Sequence, residues 1–171
     1  TPWDVNIVFT YKLESNKYAN EVKEGNELTG AGFTLFKWIK DSSEAGGAWV
    51  QIGEEVKGEA MSTFEWKGID DGKYKLEETT TPAGYNTIDP IYFTVSAEHE
   101  AESDDPKLIS LNVTSSMDTK DESGNIVFAF TTNKDAGSMS TDIVNEKGVN
   151  LPSTGGMGTT LFYAFGGILM A

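Results

Sequence analysis

The chain has 171 residues, 27 acidic against 13 basic side chains, a net charge of −14, one histidine, and neither cysteine nor arginine. A nucleic-acid surface needs a basic stripe, usually with arginine, so the composition points away from that class. No disulfide can form, and the lone His99 leaves a His-based triad or zinc site without partners.

Thr1 is followed by no basic segment and no apolar core of a signal peptide, so the expectation is a cytosolic chain or a mature or excised fragment. Period-two alternation then predicts short, half-buried strands along the chain. The first, rich in Val, Ile, Phe and Tyr, covers residues 5–13, and the second, 32–38, follows a glycine turn. Further strands are expected at 49–52, 62–66 and 73–79, the last after the Asp71-Gly72 turn. Others are expected at 91–95, 108–114, 126–130 and 139–145. No stretch carries a sustained helical period. Eight or nine short strands with Gly, Asp and Asn turns predict an all-β, Ig-like sandwich over residues 1–148. The acidic run at 98–105 reads as a solvated loop rather than a metal site, so no metal and no cofactor are expected. The tetrapeptide YKLE at 11–14 and 74–77 is too short to mark a repeat.

Residues 149–171 form a separate tail. They carry no charge and, from Met157, are apolar apart from Thr159 and Thr160. This apolar part is shorter than the ~20 residues needed to cross a bilayer as a helix.

Alternation also places individual side chains. Glu78 shares a face with Tyr74 and Leu76, whereas Lys75 and Glu77 face the other way. A carboxylate on an apolar face is costly unless it is paired or protonated. Asn145 falls on one face with Met139, Thr141 and Ile143. Because Glu77 and Glu78 point to opposite faces, they cannot act together on one substrate as a hydrolase pair. Trp38, Trp49 and Trp66 are expected to pack in the core or at its edges, with a ligand surface as the alternative.

Two motifs carry a family resemblance. Leu151-Pro152-Ser153-Thr154-Gly155 resembles the LPxTG sorting signal of Gram-positive surface proteins. GIDDGKYKLEETTTPAGY resembles the E-box, YxLxETxxPxGY, of collagen-adhesin B-type (Cna-B) domains in Gram-positive pilins. LTGAGFTLFKW at 28–38 and DIVNEKG at 142–148 resemble the second and last strands of that family. The resemblance implies a sortase that cuts between Thr154 and Gly155 and passes the Thr154 acyl group to an amine. It implies a C-terminal domain of a backbone (major) pilin, joined through Thr154 to other subunits and to peptidoglycan. Such a protein is extracellular and wall-attached, and membrane-tethered before sorting. An accessory or tip pilin that binds a host ligand through its loops is the alternative. Neither is an enzyme beyond the autocatalytic formation of an internal bond.

In the family, a lysine of the first strand and an asparagine of the last are joined by an isopeptide bond with help from the E-box glutamate. That maps to Lys12, Asn145 and Glu78. Lys12 fits uneasily, because alternation sets it with Val8 and Thr10, away from the more apolar face of Ile7, Phe9, Tyr11 and Leu13. A bulge, a strand covered on both faces, or a different lysine would resolve this, and Lys17, in a polar and turn-like stretch, is the other choice.

Overall fold

A computed structural model describes residues 7–42 and 46–148. Eleven strands and no helix occur among them: β1 Tyr11–Ala19, β2 Gly32–Lys40, β3 Gly47–Lys57, β4 Thr63–Ile69, β5 Gly72–Thr80, β6 Ile91–His99, β7 Leu108–Ser115, β8 Thr119–Lys120, β9 Ile126–Val127, β10 Phe130–Asn133 and β11 Ser138–Asn145. One sheet has the order β10-β11-β1-β4 and faces a second of order β3-β2-β5-β6-β7, while β8 and β9 form a small separate hairpin. This is the all-β, Ig-like sandwich that the alternation predicts.

The core lies between the sheets. Leu13, Phe33, Leu35, Phe64 and Leu76 are fully buried there, and Phe33 meets Phe64 edge to face at 4.9 Å between ring centroids. Each such side chain contributes about 1.5–3 kcal/mol by leaving water. The first and last strands lie side by side: β1 pairs with β11 in parallel, from Lys12↔Ser138 to Ala19↔Asn145.

Two elements depart from expectation. The first strand begins at Tyr11 rather than Val5, and it continues to Ala19 through a stretch whose composition reads as a turn. Ile7 is 50% and Val8 78% exposed, so the apolar residues before the strand build no sheet face. Ser15 and Lys17 instead occupy inner positions of β1, and their polarity hides the alternation from the sequence. The segment expected as a single strand at 126–130 is divided between β9 and β10. The Asp118 carboxylate accepts hydrogen bonds from the backbone N–H groups of Ser115 and Ala129, both at 2.8 Å, and holds the hairpin's two ends together at that break. The acidic run is also only partly a loop, since Glu98 and His99 complete β6.

Candidate functional site

Three polar side chains from three strands meet inside the sandwich. Lys17 projects inward from β1 after Tyr11, Leu13 and Ser15, all buried. Asn145 projects inward from the end of β11 after Met139, Thr141 and Ile143. Glu78 comes from β5 in the opposite sheet, on the face of Tyr74 and Leu76, so the cluster bridges the two layers. The parallel register sets Ala19 beside Asn145 and Lys17 beside Ile143, which brings the lysine and the asparagine to one end of adjacent strands.

The Lys17 Nζ lies 3.7 Å from Glu78 Oε1, with both side chains fully shielded from solvent. Asn145 Nδ2 donates to Glu78 Oε2 at 3.0 Å and to the Asn86 carbonyl at 2.8 Å. That carbonyl can only accept, which fixes the amide with its nitrogen toward the carboxylate. The backbone N–H of Ile88 donates to the same Oε2 at 3.1 Å. Phe33, opposite Glu78 on β2, sets its ring 5.6 Å from the lysine nitrogen. Burial in these surroundings lowers the Lys17 pKa to about 8, and the neighbouring Glu78 only partly offsets that. Lys17 Nζ, Glu78 Oε1 and Asn145 Oδ1 are buried without any hydrogen-bond partner. Lys17 and Glu78 offset part of the cost of burial as an ion pair, whereas Asn145 Oδ1 meets no donor, and a buried polar group left unpaired forfeits about 1–3 kcal/mol.

The loop after β5 holds this arrangement. Gly84 takes φ +85°, a conformation open to glycine, and its carbonyl accepts from the Gly148 N–H at 2.7 Å. The Asn86 N–H donates to the Glu146 carbonyl at 2.9 Å, and Tyr85 bridges to Lys147. The loop is thereby laced to the end of β11, where its Asn86 carbonyl reaches Asn145.

Lys12 is not part of the cluster. It stands on the outer face of β1, with its nitrogen 3.4 Å from Glu14 and 3.8 Å from Glu65, and its side chain is 40% exposed. The register does shift beside it, but the extra residue falls on β4, where Gly68 takes φ +76°, so the shift leaves Lys12 facing outward. Continuing the same alternation past Leu13, through Ser15, leads to Lys17. The contributions of Phe33, Asn86 and Ile88 had no signal in the sequence, because two act through backbone atoms and the third is an ordinary core residue. Leu151, Pro152, Ser153, Thr154 and Gly155 lie outside the described residues. No group of acidic or histidine side chains suited to a metal ion occurs among the described residues, nor any helix long and apolar enough to cross a membrane.

Solved structures similar to this chain include two pilus adhesins and a pilus backbone protein. The pilus adhesin SpaC from Lactobacillus rhamnosus GG, in its open conformation, is 20% identical over 84% of this chain and 15% of its own, with a TM-score of 0.44. The group B streptococcus pilus 2b backbone protein is 17% identical over 84% of this chain and 43% of its own, with a TM-score of 0.43. The pilus adhesin RrgA from Streptococcus pneumoniae is 21% identical over 82% of this chain and 15% of its own, with a TM-score of 0.46. The chain thus spans less than half the length of each. No curated protein matches it. The family described as SpaA, prealbumin-like fold domain, matches residues 11–107, more than half of the chain, and the chain belongs to that family.

Proposed function

We propose that this SpaA-family domain is a structural unit of a Gram-positive surface pilus, closed by an isopeptide bond between Lys17 and Asn145 that Glu78 promotes. The observation that carries the reading is the sealed Lys17–Glu78–Asn145 cluster, with a lysine whose pKa burial has lowered to about 8. Lys17 takes the role that the family resemblance alone would give to Lys12.

Each atom in the cluster has a task. Glu78 Oε1, facing the lysine, takes a proton from the Lys17 ammonium and leaves a neutral amine. That amine attacks the Asn145 side-chain carbonyl carbon. Glu78 Oε2 stays on the nitrogen side of the amide, where it holds Nδ2 as the atom that departs. A proton from the attacking nitrogen then passes through Glu78 Oε2, already 3.0 Å from Nδ2, to the leaving group. The new C–Nζ bond forms, the C–Nδ2 bond breaks, and ammonia departs. The reaction consumes no external reactant. Water exclusion favours it, because the neutral amine is more readily populated and hydrolysis has no water to use.

Beyond the domain, Leu151-Pro152-Ser153-Thr154-Gly155 is read as the sorting signal. A pilin sortase would cut after Thr154 and link the domain to another subunit or to peptidoglycan. Such a protein works outside the cell, on the wall, as a backbone subunit.

Intact mass spectrometry of the folded protein tests the internal bond. One ammonia lost per bond makes the expected mass about 17 Da below that of the sequence. A wild-type mass equal to the sequence value overturns the crosslink. Incubation with sortase and an amine tests the tail separately: Thr154→Ala should abolish transfer, and unchanged transfer in that variant overturns the sorting assignment.

A further inference from the structure

The outer face of the five-stranded sheet carries a cluster of aromatic side chains that the covalent chemistry does not use. Trp38 and Trp49 are cross-strand partners on β2 and β3, with ring centroids 5.3 Å apart. Gly47 makes room for this, since a Cβ there would stand 2.5 Å from the Trp38 indole. Trp49 reaches on to Tyr92 of β6, 5.7 Å away and tilted by 56°. Beneath these rings, Lys75 lies 4.4 Å from the Phe36 centroid and 5.6 Å from that of Trp49, and Glu77 neutralises its ammonium at 2.6 Å.

A shallow groove of about 300 Å³ opens beside Trp49 and Tyr92, with Lys73, Thr94 and Thr114 among the residues that line it. Thr94 and Thr114 are register partners on β6 and β7 and carry hydroxyls with no partner among the described residues. Among the described residues, no acidic side chain lines the groove. Ile39 and Val50, the exposed aliphatic residues nearby, point to the opposite side of their strands.

We propose that this groove binds a neutral pyranose ring of a glycan. Two tilted aromatic rings suit the apolar C–H face of a sugar, and a strip of free hydroxyls suits its polar edge. The charge pattern selects among ligands. A cation would find no carboxylate among the described lining residues, and an anion would meet a single lysine, Lys73, on a chain of net charge −14. The volume is at the small end of the roughly 300–1,000 Å³ of small-molecule sites. A docked protein would want about 800 Å² of complementary surface per partner, far more than a groove of about 300 Å³ presents.

Saturation-transfer NMR of the full chain with lactose and with cellobiose tests the site. Transfer to the ring C–H protons of at least one of them is expected, with a dissociation constant of about a millimolar that does not change with salt. Trp49→Ala and Tyr92→Ala should each weaken binding about tenfold, and Thr94→Val combined with Thr114→Val about fivefold. All these variants should keep the deficit of about 17 Da relative to their own sequences and a cooperative thermal transition, which separates loss of the site from loss of the fold and from the Lys17–Asn145 bond. Absence of transfer from both sugars, transfer that survives both aromatic substitutions, or strongly salt-dependent binding overturns the proposal. So does sedimentation showing that the face joins copies of the chain, with self-association lost in Trp49→Ala.

Discussion

Lys12 and Lys17 belong to the same strand, and each lies within 4 Å of a carboxylate, yet they sit in opposite environments. Lys12 faces water between Glu14 and Glu65. Its charge is solvated there, and the pairs are worth at most about 1 kcal/mol. Lys17 faces Glu78 with no solvent at all, beside a ring and an amide. Removing water makes the ammonium expensive and lowers its pKa. The same two residue types give a surface ion pair in one place and a sealed pair in the other, where the proposed chemistry would have its nucleophile and base, and the parity of their positions along β1 decides which.

That contrast can be broken most severely at Glu78. Glu78→Ala should restore the full sequence mass and also leave Lys17 buried without a counter-charge. The lost bond is worth about 4–5 kcal/mol by the chain-entropy estimate for a loop of this size. The stranded charge costs about 3–5 kcal/mol more. Chemical denaturation read together with mass would show both effects, and a variant that kept the deficit would remove Glu78 from the chemistry.

Lys17→Met should be milder, because it removes the bond and the buried charge together. The expected cost is about 4–5 kcal/mol, or roughly 10–20 °C in thermal midpoint, with the full mass restored. A 17 Da deficit surviving in this variant would place the bond on another lysine.

Asn145→Ala leaves Lys17 free to titrate, and its pH dependence sharpens the comparison. The folded pKa of Lys17 is lowered to about 8 from an ordinary 10.5, so between these values the unfolded chain binds more protons. Stability should therefore rise with pH from about 8 to about 10, by up to a few kcal/mol. Above that, Tyr74 reverses the trend: burial and its hydrogen bond to Asp70 raise its pKa in the fold, so stability falls as the unfolded tyrosine ionises. A wild type that carries the proposed bond has no Lys17 proton to lose, and its denaturation curves at pH 8 and pH 10 should coincide in this respect. A flat profile in Asn145→Ala would show that Lys17 is not held in a desolvated state.

The smallest effect is expected at Lys12. Lys12→Ala should keep the deficit of about 17 Da relative to its own sequence and shift stability by about 1 kcal/mol or less. A restored full mass in this variant would return the bond to Lys12.

Much of this contrast is legible in the sequence, and the part that is not has a specific physical origin. The inward positions of Glu78 and Asn145 follow from alternation, because each is flanked at i−2 and i−4 by side chains that belong in a core. Lys17 has no such flank on its C-terminal side, and Ser15 precedes it. A polar residue at an inner position looks like a turn until the partner strand is known. The limits of β1 were hidden for the same reason, and the apolar 7–10 segment drew the strand toward itself without pairing. The separation of β9 from β10 depends on one carboxylate, Asp118, bonding to two distant N–H groups, which no local pattern carries. The groove by Trp49 and Tyr92 joins four strands, so its aromatic residues could be counted in the sequence but not assembled.

The parallel pairing of β1 with β11 sets how the domain answers a pull on its two ends. Tension enters at the N-terminal end of β1 and leaves at the C-terminal end of β11, so it slides one strand along the other. The backbone hydrogen bonds between Lys12↔Ser138 and Ala19↔Asn145 are then strained together rather than opened one after another. A covalent link from Lys17 to Asn145 would sit at the far end of that seam. Force would run along a few residues of β1, across the link and out through Glu146, and the remaining strands would feel almost none of it.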